Sequence, residues 1–562
     1  MGVEKNTFAC AFAVICAVGA SRAEVAGHCP FNALRFGFGF TAPGKWPAMR
    51  AAIEKNRAAF DEVWFSTGIS YPPLEWHRLH SGRCAAAAAD LRRLGVVPSI
   101  EIQTIIGHGD DLLASGDCSG QTWGTWTGCD GTAAKHAACS RDPRLAAYFV
   151  RVAEIYAEWR PGSMWIDDDV TLRNRAPMNP ARALDGCFCD RCVSAFSAAE
   201  GKRWTRAELE KALRSDKQVA GRWWDFQAGS LAELAGGIVR AAHAVSPETR
   251  FGYQFGGTWA KQIVEAIHAA GGSPVRLRPG AGAYWDTNPF DQLEKAYYLQ
   301  VLVRKYGEIG CAGEVCPEIE TCPRTFSCRT PQGVILEAFE NLALGMDFLS
   351  MFIADTRGGE DVAYYADRLF PRLAEANGFL KAYRDASEGA SPCGFTVPGG
   401  IPPPLVACRG IPVAAGKCIS LGELPDVGSI PVRTAGSGWV KGKGLHTRIM
   451  QIAAGPALIS FAEKCDEASG GRTPVMFGGP VMAWVMPRVA PDGALKTVAV
   501  VNASIDRQEP VAVKLRGAGG ARIFWRTPEG SRELRVAGCA SAVEVELPRI
   551  GAWQCGFIEV RH

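Results

Sequence analysis

The stretch SMWIDDDV, Ser163 to Val170, is an apolar run that ends in three adjacent aspartates. Burying one unpartnered carboxylate is costly, so three together must reach solvent, a cation or a substrate. Which of these they meet depends on the surrounding fold. On both sides of this stretch, short apolar strands alternate with amphipathic helices. The strands before it are ALRFGFGF (33–40), DEVWFSTGI (61–69) and VVPSIEIQT (96–104). Those after it are TRFGYQFG (249–256), VRLRPGAG (275–282), IGCAGEVCPEIE (309–320) and MDFLSMFIA (346–354). Helical patterns fill the gaps. One opens at Asp142-Pro143, an N-cap followed by proline at the first helical position, and carries Leu145, Phe149, Val152 and Tyr156 on one face. Another spaces Ile335, Phe339 and Leu342 at the helical period. An open doubly wound sheet also alternates, so the count of eight units selects an α/β fold built as a (β/α)8 TIM barrel over residues 28–390, with long insertions after its third and fourth strands. In that fold the chemistry sits at the C-terminal strand ends, which is where the aspartates lie.

The remainder of the chain divides around this barrel. Lys5, the apolar run FACAFAVICAVGA and the small residues of Ser21-Arg22-Ala23 read as an export signal over residues 1–23, too short to span a bilayer. The mature protein is therefore expected to be secreted or periplasmic, without a membrane span. Of twenty cysteines, removal of Cys10 and Cys16 leaves eighteen for an oxidising compartment, in which some disulfides are expected. The Pro- and Gly-rich SPCGFTVPGGIPPPL, from Ser391, marks a boundary. A small α/β or irregular domain is expected over 391–475, then a C-terminal antiparallel β-domain, sandwich-like, over 476–562, from VMAWVMPR, LKTVAVVN, ARIFWR and the alternating Val543, Val545 and Leu547. A formal net charge of +3, with no basic block interleaved with aromatics, gives no nucleic-acid signal. Gly37-Phe-Gly39-Phe-Thr-Ala42 is a degenerate dinucleotide pattern, but Pro43 and Pro47 stand where a phosphate-binding helix should begin.

In GCFCDRCVSAF, Cys187, Cys189 and Cys192 crowd three thiols immediately before a helical run. Three thiolates this close converge on one soft cation, and a fourth completes a tetrahedral structural zinc site that would pin the loop after strand four. Disulfide pairing is the alternative. Cys139, just before the helix leading into strand four, is the expected fourth ligand, with Cys118 and Cys129 as competitors.

The order Cys139-Ser-Arg-Asp-Pro, helix, Trp165-Ile-Asp-Asp-Asp169, C-x-C-x-x-C and amphipathic helix resembles the family 42 glycoside hydrolases, β-galactosidases and their clan A relatives. The likeness covers the barrel. It implies a hydrolase of a β-linked sugar in an oligo- or polysaccharide, acting with retention through an acid/base after strand four and a nucleophile after strand seven. It also implies structural zinc on the cysteines and a homo-oligomer, a trimer in related enzymes. Setting Ile166-Asp-Asp-Asp169 against the family's I-D-N-E puts Asp169 at the acid/base position and Asp168 at the preceding asparagine. Aspartate is about 1.5 Å shorter than glutamate, and retaining enzymes hold their carboxyls about 5 to 5.5 Å apart. The pocket is then tighter, or the mechanism differs. On strand seven Glu320-Thr-Cys-Pro323 matches the spacing of the family nucleophile; Glu318, on the same side of the strand, is its rival, and Glu314 lies deeper. A hard-cation site is the other reading of the aspartates. Aromatic rings to stack on sugar faces are offered by Trp126, Trp165, Trp259, Tyr284 and Trp285, and hydroxyl partners by His108 and Asp286. A catalytically silent carbohydrate-binding barrel or scaffold is the competing functional class.

Overall fold

The computed structural model describes residues 30–110, 116–167, 169–172, 184–255, 260–280, 282–286, 289–306, 309–321, 328–353 and 362–396, with short pieces at 407, 410–414, 419–420, 462–463, 466–467 and 469–479, then 481–539 and 542–562. The leader (1–23) and most of 391–475 lie outside these residues. All eight expected barrel strands form: Asn32–Arg35, Glu62–Ser66, Val97–Ile102, Ser163–Ile166, Arg250–Phe255, Val275–Pro279, a seventh in two pieces (Ala312–Val315 and Glu318–Glu320), and Leu349–Phe352. Every neighbouring pair is parallel, and the ring closes because the first piece of strand seven pairs with strand six while the second pairs with strand eight. The break falls at Cys316-Pro317; proline has no N–H to give the ladder, so the strand bends there.

Each strand is shorter than its apolar run. Strand one stops at Arg35, and Phe38–Thr41 turns into a single 3-10 turn; strand four stops at Ile166, before the aspartates. The helix Pro143–Ala157 begins where its cap does, the Asp142 carboxylate accepting from Arg144 N–H at 3.0 Å, and Leu145, Phe149, Val152 and Tyr156 are buried.

Inside the barrel the inward side chains stack in three tiers. At the bottom, the Glu62 carboxylate accepts from Ser99 and Ser163 hydroxyls, each at 2.6 Å, and pairs with Arg276 at 3.1 Å. The middle tier is apolar: Ala33, Trp64, Trp165, Cys316 and Phe348, with Trp64 and Trp165 stacked at 4.1 Å between ring centroids. Gly252 makes room for that stack, since a Cβ there would lie 2.3 Å from the Trp165 ring. The top tier is charged and forms the candidate site.

The C-terminal part is a sandwich of two antiparallel sheets. One has six strands in the spatial order Ser391–Pro392, Ala483–Val489, Leu495–Asn502, Cys555–Arg561, Arg522–Thr527 and Gly530–Glu533; the other has four, Val475–Phe477, Val511–Arg516, Ala542–Leu547 and Val536–Cys539. Both ends of the expected 391–475 domain thus contribute strands to the sandwich. One face of the larger sheet packs on the barrel: Phe557 meets Phe379 and Tyr383 at 5.6 and 5.1 Å. Among the described residues no helix is long and apolar enough to cross a membrane.

Candidate active site and metal centre

Alternation along the strands decides which charged groups meet at the C-terminal mouth. Strand one contributes Arg35, strand three Glu101, strand five Gln254, strand six Arg278, and strand seven Glu318 and Glu320. Arg35 grips Glu101 with two hydrogen bonds, at 2.5 and 3.3 Å, and its Nη1 lies 3.9 Å from Glu320 Oε2. Gln254 donates to the same Glu101 oxygen that Arg35 Nη2 reaches. Glu318 pairs with Arg278 at 2.6 Å through one oxygen and accepts from the Tyr284 hydroxyl at 3.2 Å through the other. Glu318 and Glu320 are therefore neighbours with different partners: one is held by a guanidinium and a phenol, the other lies at the strand end with a more distant guanidinium. Glu314, as its depth suggested, pairs with Arg250 away from this tier.

Strand four delivers its aspartates differently from the motif. Asp167 continues the inward series of Ser163 and Trp165, and its Oδ2 accepts from Thr104 N–H at 3.4 Å. Asp169 is completely buried, and its Oδ2 accepts from the backbone N–H of Ile106, at 2.7 Å, and of Gly107. These contacts make Asp169 an anchor for the loop after strand three. Asp168 lies outside the described residues, as does Trp259.

The other expected sugar contacts separate. Tyr284 joins the site through Glu318, and Trp285 beside it is 42% exposed, open to a ligand. Trp126, on a hairpin formed by Thr125–Thr127 and Ala133–Ala138, is 2% exposed and part of the core, because the hairpin folds its ring inward. Trp165 likewise packs inside the barrel. His108 is half-buried on the loop after strand three. Asp286 binds protein, accepting from Thr330 N–H at 2.6 Å and from Arg329 Nε at 3.1 Å. Arg35, Glu101, Gln254 and Arg278 were missed; the inward parity of VPSIEI and VRLRP was the available signal.

The four cysteines do come together. Their sulfur atoms all lie within 4.8 Å of one another, with Cys139 at 3.6 Å from both Cys189 and Cys192. That is far beyond a disulfide bond of about 2.05 Å and close to the ~3.8 Å edge of a tetrahedron with Zn–S bonds of about 2.3 Å. The chemistry of the donor set therefore fits a soft metal ion. Local structure explains the convergence. Cys139 N–H is held by Gly124 O at 2.9 Å, and Asp142 binds Gly124 N–H at 2.8 Å and Arg191 at 3.4 Å, tying the hairpin side to the C-x-C-x-x-C side. Burial opposes ionisation of Asp142, but hydrogen bonds from Arg144 and Gly124 and the charge of Arg191 outweigh it and hold the carboxyl down at about 2. Gly186 has φ of 109°, and a Cβ there would meet Trp223 Nε1 at 2.6 Å, so the turn into Cys187 requires glycine. Cys189 immediately precedes the helix Asp190–Glu200; hydrogen bonds from the neighbouring thiols hold its own thiol well below the usual range.

No family model matches the chain, and no curated protein matches it. Solved structures do. A β-galactosidase from Bacillus circulans sp. alkalophilus aligns at 10% identity over 95% of this chain and 99% of its own, with a TM-score of 0.56. A GH42 β-galactosidase from G. stearothermophilus aligns at 10% identity over 94% and 98%, with a TM-score of 0.55. An α-L-fucosidase from Paenibacillus thiaminolyticus aligns at 9% identity over 95% and 100%, also at 0.55. At such identities the likeness speaks for architecture, and by architecture this chain has the fold of β-galactosidases and related glycoside hydrolases.

Proposed function

We propose that the protein is an exported glycoside hydrolase that cleaves a β-linked sugar, as a β-galactosidase does, by paired carboxylates with retention. The observation that carries this reading is the meeting of Glu318 and Glu320 of strand seven with Glu101 of strand three at the C-terminal mouth of the barrel, braced by Arg35 and Arg278, with Asp167 continuing the inward series of strand four. Two carboxyl groups on opposite sides of a glycosidic bond are what this chemistry needs, one to protonate the leaving oxygen and one to attack the anomeric carbon. Glu320 is the proposed nucleophile, since it lies at the end of its strand, nearest the mouth. Glu318, held by Tyr284 and Arg278, is its rival on the same strand. For the acid/base, the family motif points to Asp169, while its backbone hydrogen bonds and the inward direction of strand four favour Asp167.

We further propose zinc on Cys139, Cys187, Cys189 and Cys192. Four thiolate ligands leave no open coordination position, so the ion would be structural, cross-linking the hairpin after strand three to the loop after strand four.

An aryl-glycoside panel tests the reading. The wild type should turn over at least one β-glycoside; if it turns over none, the silent-barrel reading replaces this one. Glu320→Ala and Glu318→Ala should then be assayed with azide, which fills the space of a missing nucleophile and yields a glycosyl azide of inverted configuration. Rescue of one variant and not the other identifies the nucleophile; rescue of neither removes the retaining mechanism.

A further inference from the structure

Behind the site, out of reach of a substrate, lies a buried group of charges. Glu337 is fully buried on the helix Pro331–Ala343, and its two oxygens take different partners. Lys295 Nζ, on the helix Pro289–Tyr306, lies 2.9 Å from Oε1, and the Arg329 guanidinium pairs with Oε2. From there each base reaches forward. Lys295 donates to Ala283 O at 3.4 Å and lies 4.9 Å from the centre of the Tyr284 ring. Arg329 donates through Nη1 to Glu320 O at 3.2 Å, and through Nε to Asp286 at 3.1 Å. Asp286 in turn binds the N–H and hydroxyl of Thr330 at 2.6 and 2.8 Å.

We propose that Glu337, Lys295 and Arg329 act as positioning residues, a clasp that sets the strand-six loop bearing Tyr284 in register with the strand-seven end bearing Glu320. The proposal rests on the hydrolase reading above. Three observations support it beyond the contacts themselves. Ala283 has φ of 90°, a conformation that a non-glycine residue holds only when its surroundings impose it, and Lys295 grips its carbonyl. Gly333 leaves space for Asp286, since a Cβ there would lie 2.3 Å from the carboxylate oxygens. The group also balances, with two acids, Glu337 and Asp286, against two bases, Lys295 and Arg329. A buried ion pair adds little net stability over apolar packing; what it supplies here is direction, applied to a phenol and a backbone carbonyl that flank the reacting groups. Misplacement by about 1 Å is enough to cost on the order of a hundredfold in rate.

The test uses the full chain with Lys295→Met, Arg329→Lys, Glu337→Gln and, as a control, Glu375→Gln. Glu375 is an exposed acid on the helix Phe370–Ala386, paired with Arg372 and apart from the clasp. Lys295→Met and Arg329→Lys should lower kcat at least about tenfold with KM changed less than about threefold, the signature of lost orientation. Amide exchange at Ala283–Asp286 should accelerate in both, and in the control neither quantity should move. If Lys295 acts through Tyr284, Lys295→Met should cost no further rate in a Tyr284→Phe background. Wild-type kcat and exchange in the folded variants, or full additivity with Tyr284→Phe, overturns the clasp. Should Lys295→Met not fold, Arg329→Lys, which keeps the charge and loses the second arm, decides. Absence of turnover in the wild type refutes the hydrolase reading alone, and exchange at 283–286 then decides the clasp by itself.

Discussion

Replacing Cys192 with serine should remove the metal from the barrel and loosen the loop after strand four. The size of the effect follows from the sulfur geometry. Cys139 lies 3.6 Å from Cys189 and from Cys192, within about 0.2 Å of the ~3.8 Å edge of a zinc tetrahedron, and all four sulfurs lie within 4.8 Å of one another, so binding needs shifts of about 1 Å or less. A site this well preformed charges little reorganisation against binding. At a hundredfold excess of free zinc over Kd, linkage gives the native state about 2.7 kcal/mol, which, at about 2.1 cal/mol/K of unfolding entropy per residue over a barrel of this length, corresponds to a melting shift of about 3–4 °C. Metal analysis of the purified protein should give one zinc per chain. Chelation should lower the melting temperature by that amount, and readdition should restore it. In Cys192→Ser the zinc should fall well below stoichiometric, and the melting temperature should no longer respond to chelator. Two results refute the reasoning: a disulfide among these four cysteines in the native protein, or a wild type whose melting temperature is indifferent to zinc and chelator alike.

Three further outcomes are expected. Asp169→Ala should leave two buried N–H groups, of Ile106 and Gly107, without their acceptor and cost about 2–5 kcal/mol in denaturant unfolding; an unchanged midpoint with lost turnover would return Asp169 to the acid/base role. Gly252→Ala should destabilise by about 1–3 kcal/mol or more, because the new Cβ would fall 2.3 to 2.6 Å from three atoms of a Trp165 ring already backed by Trp64; a wild-type midpoint would show that the tryptophan stack can yield. Burial, with the charge of His80 for His77 and of Arg83 for His80, lowers both histidines to about 4. The unfolded chain then takes up protons that the folded one refuses, so stability should fall as pH drops from about 6.5 to about 4, by on the order of 3 kcal/mol per histidine, with no further loss from these groups below that. Urea midpoints across that range should depend less on pH in His77→Gln; an unchanged slope would assign the acid sensitivity to other groups.

Most of the barrel was legible because its signals are local. Each strand is a short apolar run that must bury both faces, some helices announce their start with a cap, as Asp142-Pro143 does, and eight repeats leave few architectures to choose from. The cysteines were legible for a similar reason: C-x-C-x-x-C concentrates three ligands in six residues, and Cys139 stands at a helix start that leads back to the same strand. What failed was local inference about direction. Trp126 looked like a sugar platform, but the hairpin that carries it folds against the core. The family motif singled out Asp169 as the acid/base, but strand four ends at Ile166, after which the backbone turns and Asp169 meets N–H groups more than sixty residues away in the chain.

The sequence by itself determined which segments become strands, how many there are and where thiols and carboxylates are concentrated, since hydrophobic period, capping and ligand spacing act over a few residues. Only the tertiary structure decided which charges share the barrel mouth. The pairing of Arg35 with Glu101 and Glu320, and of Glu318 with Arg278 and Tyr284, brings together residues from strands one, three, six and seven. No local pattern encodes that meeting; it follows from strand register and closure of the ring, which place inward side chains of distant strands at one height and force each buried charge to find its partner there.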